Sequence, residues 1–334
     1  MLKKLAVIST LLTFVVVVFG AFVRLSDAGL SCPDWPGCYG HISVPESDAA
    51  RHRALQNFPD KALEPTKAWL EMIHRYLAGA LGLLILAMAM VSWRNRRNGA
   101  PVILPTLLLG LVGLQAALGM WTVTLLLKPV IVTLHLLGGM AIFSLLIWLA
   151  LHQVSTGLQI NTWQGRRFRY WAKIGVVVLF IQIALGGWVS SNYAALACTD
   201  FPLCQSQWLP PVDFSHGFQF MRELGVTASG APLSKEALTA IHWTHRLGAL
   251  ITFIVLLVLA LGVCTERRLR PYGGLVLVCL IAQVSIGVAN ILLSLPLPVA
   301  VAHNAMAALL LAAMIILNFK LGLGQSDHRE YQST

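Results

Sequence analysis

Charge is what this 334-residue sequence has least of: 11% of its residues are Asp, Glu, Lys or Arg, against about 25% in soluble domains. With 57% hydrophobic residues and a mean hydropathy of +0.73, a soluble globular fold is excluded. Acidic residues are scarcer still, 14 against 24 Lys and Arg, which gives a net charge of +10. That excess does not describe a nucleic-acid surface, because the basic residues fall in short clusters between apolar runs, where they act as topology signals. Cysteine is limited to six residues with no CxxC spacing, which argues against a zinc site. A small-residue cleavage pattern is missing after the first apolar run, so that run, although preceded by Lys3 and Lys4 like a signal peptide, is expected to remain as a helix.

What the sequence has in abundance is apolar runs of membrane-spanning length, for which about 20 residues suffice. They lie near 5–23, 72–93, 102–127, 130–151, 173–197, 240–263, 272–295 and 299–319. Arg94, Arg96 and Arg97, then Arg166, Arg167, Arg169 and Lys173, then Arg267, Arg268 and Arg270 all fall on the side of Lys3 and Lys4. The positive-inside rule makes that side cytoplasmic, with both termini there. The long loops 25–70 and 192–238 then face outward, as do the tight turns at Leu127-Lys128-Pro129 and Ser294-Leu295-Pro296-Leu297-Pro298.

The chain reads as a duplication. At an offset of 166, Gly20 to Cys38 falls on Gly186 to Cys204; further on, His74-Arg75 answers His245-Arg246, Gln115 with Gly119 answers Gln283 with Gly287, and His135 answers His303. An even number of spans in each copy makes the repeat parallel, with its pseudo-twofold axis along the membrane normal. The expected fold is an all-α integral membrane protein, eight transmembrane helices forming two parallel-repeat four-helix bundles. The bundles occupy 1–152 and 172–322, with a cytoplasmic linker at 153–171 and a cytoplasmic tail at 323–334.

His74 and His135 lie at similar shallow depth on separate spans, as do His245 and His303. Paired imidazoles at one depth on different helices of a bundle suit axial ligation of heme iron. His41, His52, His152, His216 and His328 fall in loops or at an edge and are assigned no role. His242 gives the sixth span a second histidine, and His245 is preferred as the ligand because Arg246 follows it as Arg75 follows His74.

Glu71, three residues before His74, shares its helix face; it reads either as a proton-handling group or as an interfacial residue. Its positional counterpart is His242, so the halves are expected to be specialised, with chemistry in the first and a held cofactor in the second. Arg75 and Arg246 are candidate contacts for heme propionates, snorkelling being the alternative. Gln115 and Gln283 are read as interhelical cross-links. Cys32 with Cys38, and Cys198 with Cys204, lie in the outward loops with five residues between each pair; they read as structural disulfides or as redox-active pairs. Cys264 and Cys279 are expected to pack as small apolar residues.

Together, Val23-Arg24-Leu25 leading to Gly29-Leu30-Ser31-Cys32-Pro33-Asp34-Trp35-Pro36-Gly37-Cys38, the Glu71-Met72-Ile73-His74-Arg75 motif, His135, His245-Arg246 and His303 resemble the heme A synthase family of cytochrome oxidase assembly proteins. The resemblance covers nearly the whole chain. It implies an eight-helix enzyme of a bacterial-type plasma membrane that oxidises a methyl group of heme O to the formyl group of heme A by successive hydroxylations and dehydration. It further implies His74 and His135 as ligands of the substrate heme, Glu71 as the catalytic acidic residue, and His245 and His303 as ligands of a heme b cofactor. Heme O synthase, oxidase assembly factors and membrane lipids are the partners it suggests, with an oligomer allowed. A membrane heme carrier or chaperone, and a diheme quinol or thiol electron-transfer protein, are the rival readings.

Overall fold

The computed structural model describes residues 1–154 and 163–322; the tail expected at 323–334 and residues 155–162 of the expected linker lie outside the described residues. Among the described residues the chain is all-helical, its only β-type pairings being isolated bridges in the loops. Eight helices are long and apolar enough to cross a membrane. They are α1 (Leu2–Leu25), α3 (Pro65–Arg94), α4 (Ile103–Thr124), α5 (Pro129–Val154), α6 (Trp163–Ser191), α8 (Lys235–Cys264), α9 (Arg270–Leu292) and α10 (Leu297–Gly322). Two short helices, α2 (Asp48–Asn57) and α7 (Phe214–Gly217), lie in the two long loops.

Several helices start earlier than the apolar pattern indicates, because hydropathy marks only the lipid-length part of a helix. Pro65 opens α3 at its first position, where a missing N–H costs nothing. The Ser234 hydroxyl caps α8 by accepting from the Ala237 N–H. Glu71 and His74 therefore sit inside a continuous helix and not near its frayed end. Likewise α6 begins at Trp163, so residues 163–171, expected in the linker, form its first turns.

Within the first half α1 packs on α3 and α5, and α4 on α3 and α5; within the second, α6 packs on α8 and α10, and α9 on α8 and α10. The halves meet through α5 with α6, α1 with α10, and α5 with α10. A buried cluster containing Met140, Phe143, Leu256, Leu311 and Met314 runs across that junction. Leu11, Leu83, Ile103, Val258 and Val278 point outward and exposed, as helices solvated by lipid require.

The turns repeat as well. Leu126 and Leu127 (φ 49° and 57°) and Ser294 and Leu295 (φ 58° and 61°) are consecutive left-handed residues between α4 and α5 and between α9 and α10. Each pair is held because Leu127 N–H reaches the Thr122 carbonyl (2.8 Å) and Leu295 N–H reaches that of Asn290 (2.7 Å), closing the helix end.

Two contacts join positions that correspond at the offset of 166. Arg24 donates to the Ser190 carbonyl (2.9 Å), and the Tyr193 hydroxyl donates to Asp27 (2.9 Å). Arg24 also lies 4.2 Å from the centre of the Tyr193 ring. Burial raises the Tyr193 phenol above its ordinary pKa despite the nearby Arg24 charge, so it remains a donor at neutral pH.

Arg24→Ala removes a charge-assisted hydrogen bond and a cation–π contact, together about 2 kcal/mol. In detergent it is expected to lower the unfolding midpoint by roughly 5 °C, whereas Asp27→Asn, which keeps an acceptor for Tyr193, leaves it within about 1 °C. Equal midpoints for Arg24→Ala and the parent would show that this contact does not hold the halves together.

Candidate functional site

Each of the four intramembrane histidines is half-buried on its helix: His74 on α3, His135 on α5, His245 on α8 and His303 on α10. His74 lies close enough to His135, and His245 to His303, for a charge on one to act on the other. The structure thus brings together the two pairs expected from sequence. Among the described residues there is no cluster of three or more His, Cys, Asp or Glu able to hold a bare metal ion.

The sequence did not single out what orients these rings. Each imidazole lies against a glycine of a neighbouring helix: His74 against Gly20 of α1, His135 against Gly119 of α4, His245 against Gly186 of α6 and His303 against Gly287 of α9. A methyl group at those glycines would meet ring atom Cε1 at 2.8, 3.4, 3.1 and 2.9 Å respectively. In all four it is the same edge of the ring that the glycine admits. The Nδ1 atoms of His74, His135 and His303 are buried without a hydrogen-bond partner. A neutral imidazole that ligates metal through one nitrogen keeps its proton on the other. Paired rings, packed edgewise and three of them with Nδ1 lacking a partner in the chain, fit a heme held between two helices.

Glutamines come next to the rings. Gln115 donates to the His135 carbonyl (3.0 Å), Gln182 lies 3.0 Å from both Nδ1 and the carbonyl of His245, and Gln283 Nε2 lies 3.3 Å from His303 Nε2. Gln182 was not anticipated from sequence; its spacing of four residues before Gly186, shared with Gln115 and Gly119, was the available signal.

Above each pair sits a disulfide loop, Cys32–Cys38 in the first half and Cys198–Cys204 in the second. Asp34 accepts from the Tyr39 and Gly40 amides, and Asp200 from the Gln205 and Ser206 amides. The Ser206 and Gln205 amides hold the Asp200 carboxyl below its ordinary pKa. Buried Glu71 accepts from the Cys32 amide (3.0 Å) and from Arg75 (2.5 Å). At the matched place, buried His242 faces the Cys198 amide through Nδ1 (3.3 Å) and Arg246 through Nε2 (3.4 Å). A carboxylate can accept from both donors, whereas a neutral imidazole has one acceptor nitrogen, which accounts for the longer contacts around His242.

Both arginines reach the disulfide loops. Arg75 donates to Glu71 and to the carbonyls of Asp34, Pro36 and Gly37. Arg246 donates to the carbonyls of Leu203 and Cys198 (2.8 Å each). Both tie a disulfide loop to the helix that bears a histidine. His41, His52 and His216 lie in or beside the loops, and His152 at the far end of α5.

The family described as cytochrome oxidase assembly protein matches residues 3–315. Among curated relatives, the heme A synthase of Shewanella oneidensis is 43% identical over 94% of either chain. That of Chelativorans sp. is 32% identical over 89% of this chain and 84% of its own length. That of Caulobacter sp. is 28% identical over 90% of each. A match over nearly the whole length, with all eight spanning helices inside or overlapping it, makes this chain a multi-pass membrane protein that belongs to the cytochrome oxidase assembly protein family.

Proposed function

We propose that the protein is a heme A synthase, oxidising a methyl group of heme O to the formyl group of heme A. The reading rests on one observation above all: two histidine pairs of common construction, only one of which has a carboxylate a turn away, Glu71 beside His74. The names of the relatives point the same way. Carried to the formyl level through an alcohol and a hydrated aldehyde, the methyl carbon loses four electrons, so an electron route is needed as well as a substrate site.

In this reading His74 and His135 grip heme O, and His245 and His303 hold a heme b. A heme held there supplies one-electron redox chemistry. Both ring nitrogens of His242 face groups of the chain, which supports His245 as the ligand. Glu71 is the proton-handling group: Arg75 fixes Oε1 and the Cys32 amide fixes Oε2, so the carboxylate is held in place one turn from His74. The disulfide loops cover the outer ends of both pairs. Their oxidised state supports an outward placement, since disulfides persist on the oxidising side of a membrane. The Lys3, Lys4 and Arg clusters then lie in the cytoplasm with both termini, and a heme O synthase in the same membrane is the source of substrate.

Membranes containing this chain together with a heme O synthase are expected to accumulate heme A, measured by extraction and chromatography. Accumulation of heme O alone would favour a carrier. Glu71→Ala is expected to reduce heme A formation at least about a hundredfold, with the second-half heme still bound; normal heme A would remove Glu71 from the chemistry. His245→Ala and His303→Ala are each expected to eliminate the b-type absorbance of the purified protein, while His242→Ala retains it.

A further inference from the structure

The four histidines share one construction, and one of them departs from it. Three face a helix carrying Gln-x-x-x-Gly: Gln115 and Gly119 at His135, Gln182 and Gly186 at His245, Gln283 and Gly287 at His303. Residues four apart lie on one helix face, so the glycine admits the ring edge and the glutamine reaches the same residue, at the backbone carbonyl of His135, at Nε2 of His303, and at both Nδ1 and the carbonyl of His245. At His74 the glycine is present as Gly20, but four residues earlier stands Val16. Its counterpart at the offset of 166 is Gln182.

The exchange is matched on the histidine's own helix. A side chain at Gly248, three residues after His245, would collide with Gln182, so the glutamine depends on that glycine. The corresponding position, three residues after His74, is Leu77. The second half therefore has Gln182 with Gly248, and the first has Val16 with Leu77. Two apolar residues have replaced an amide and the space it needs.

What a metal-ligating imidazole touches beyond the metal sets its orientation. Gln182 holds His245 at two points, its Nε2 lying 3.0 Å from Nδ1 and donating to the His245 carbonyl (3.0 Å). His74 Nδ1 is buried with no partner, as are those of His135 and His303, and Val16 offers His74 no amide; the Phe19 ring lies beside it, ring centres 6.4 Å apart.

We infer that the pair at positions 16 and 77 decides heme exchange: Val16 and Leu77 leave His74 without an amide brace, so the heme at His74 and His135 comes and goes, whereas Gln182 and Gly248 make the heme at His245 and His303 a permanent one. This rests on the heme-ligand reading above and adds to it a determinant of retention at each site. His74 is the ligand that lets go, and Val16 and Leu77 are positioning residues acting through it.

The test exchanges the two pairs in full-length protein purified from cells that also make heme O. Release of each heme to excess apomyoglobin is followed over time, with its identity fixed by extraction. Val16→Gln with Leu77→Gly is expected to slow release of the first-site heme about tenfold, and Gln182→Val with Gly248→Leu to speed release of heme b about tenfold. In each variant the unaltered site serves as the control for folding. If a double variant does not accumulate, Val16→Gln or Gln182→Met alone is read in its place, with the same direction expected. Unchanged release at the altered site, or equal change at both sites, overturns the inference. Retention of both hemes by His74→Ala and His245→Ala would instead overturn the ligand assignment on which it rests.

Discussion

Each intramembrane imidazole that pairs with another packs its edge against the backbone of a neighbouring helix. Interhelical distances in lipid are set by small residues, and four glycines bring α1, α4, α6 and α9 up to His74, His135, His245 and His303. A side chain in their place would meet ring atoms at 2.8 to 3.4 Å, within or below ordinary contact. Nearly everything else in the site is consistent with this constraint. The glycines face the Cε1 edge of each ring, the glutamines lie one turn from the glycines, and α3 and α8 are tied to the disulfide loops by Arg75 and Arg246.

The loops and the helix junction are built from matched positions, and a few positions beside the histidines are not. Asp34 and Asp200 fold their loops alike, and Arg24 and Tyr193 join the halves through matched positions. Against this shared frame, a small number of substitutions differ: Glu71 where His242 stands, and Val16 with Leu77 where Gln182 and Gly248 stand. The first exchanges a group with two acceptors for one with a single acceptor; the second exchanges an amide for apolar contact. Both fall within about a turn of a histidine or of the glycine that faces its ring.

Much of the architecture was legible from composition and spacing. Spans of about 20 apolar residues have few alternatives in lipid, so the number of helices followed from hydropathy, and the placement of His74, His135, His245 and His303 on separate spans followed with it. Helix starts did not follow, because Pro65 and Ser234 begin helices in polar sequence where hydropathy carries no signal. The short helices α2 and α7 were missed for the same reason. The bonds from Arg75 and Arg246 to backbone carbonyls 38 to 48 residues away were not legible either, since they join segments that no local pattern relates.

What the sequence by itself determined is the number of membrane crossings and the matched positions at an offset of 166; each follows from local patterns of hydropathy or from spacing along the chain. What only the tertiary structure decided is which glycine faces which ring, that His242 is occupied by the Cys198 amide and Arg246, and that Gln182 addresses His245. These are contacts between helices far apart in the chain, at ångström separations, and they depend on how each helix is rotated about its axis. That rotation is set by the packing of all its neighbours together, and no single segment encodes it.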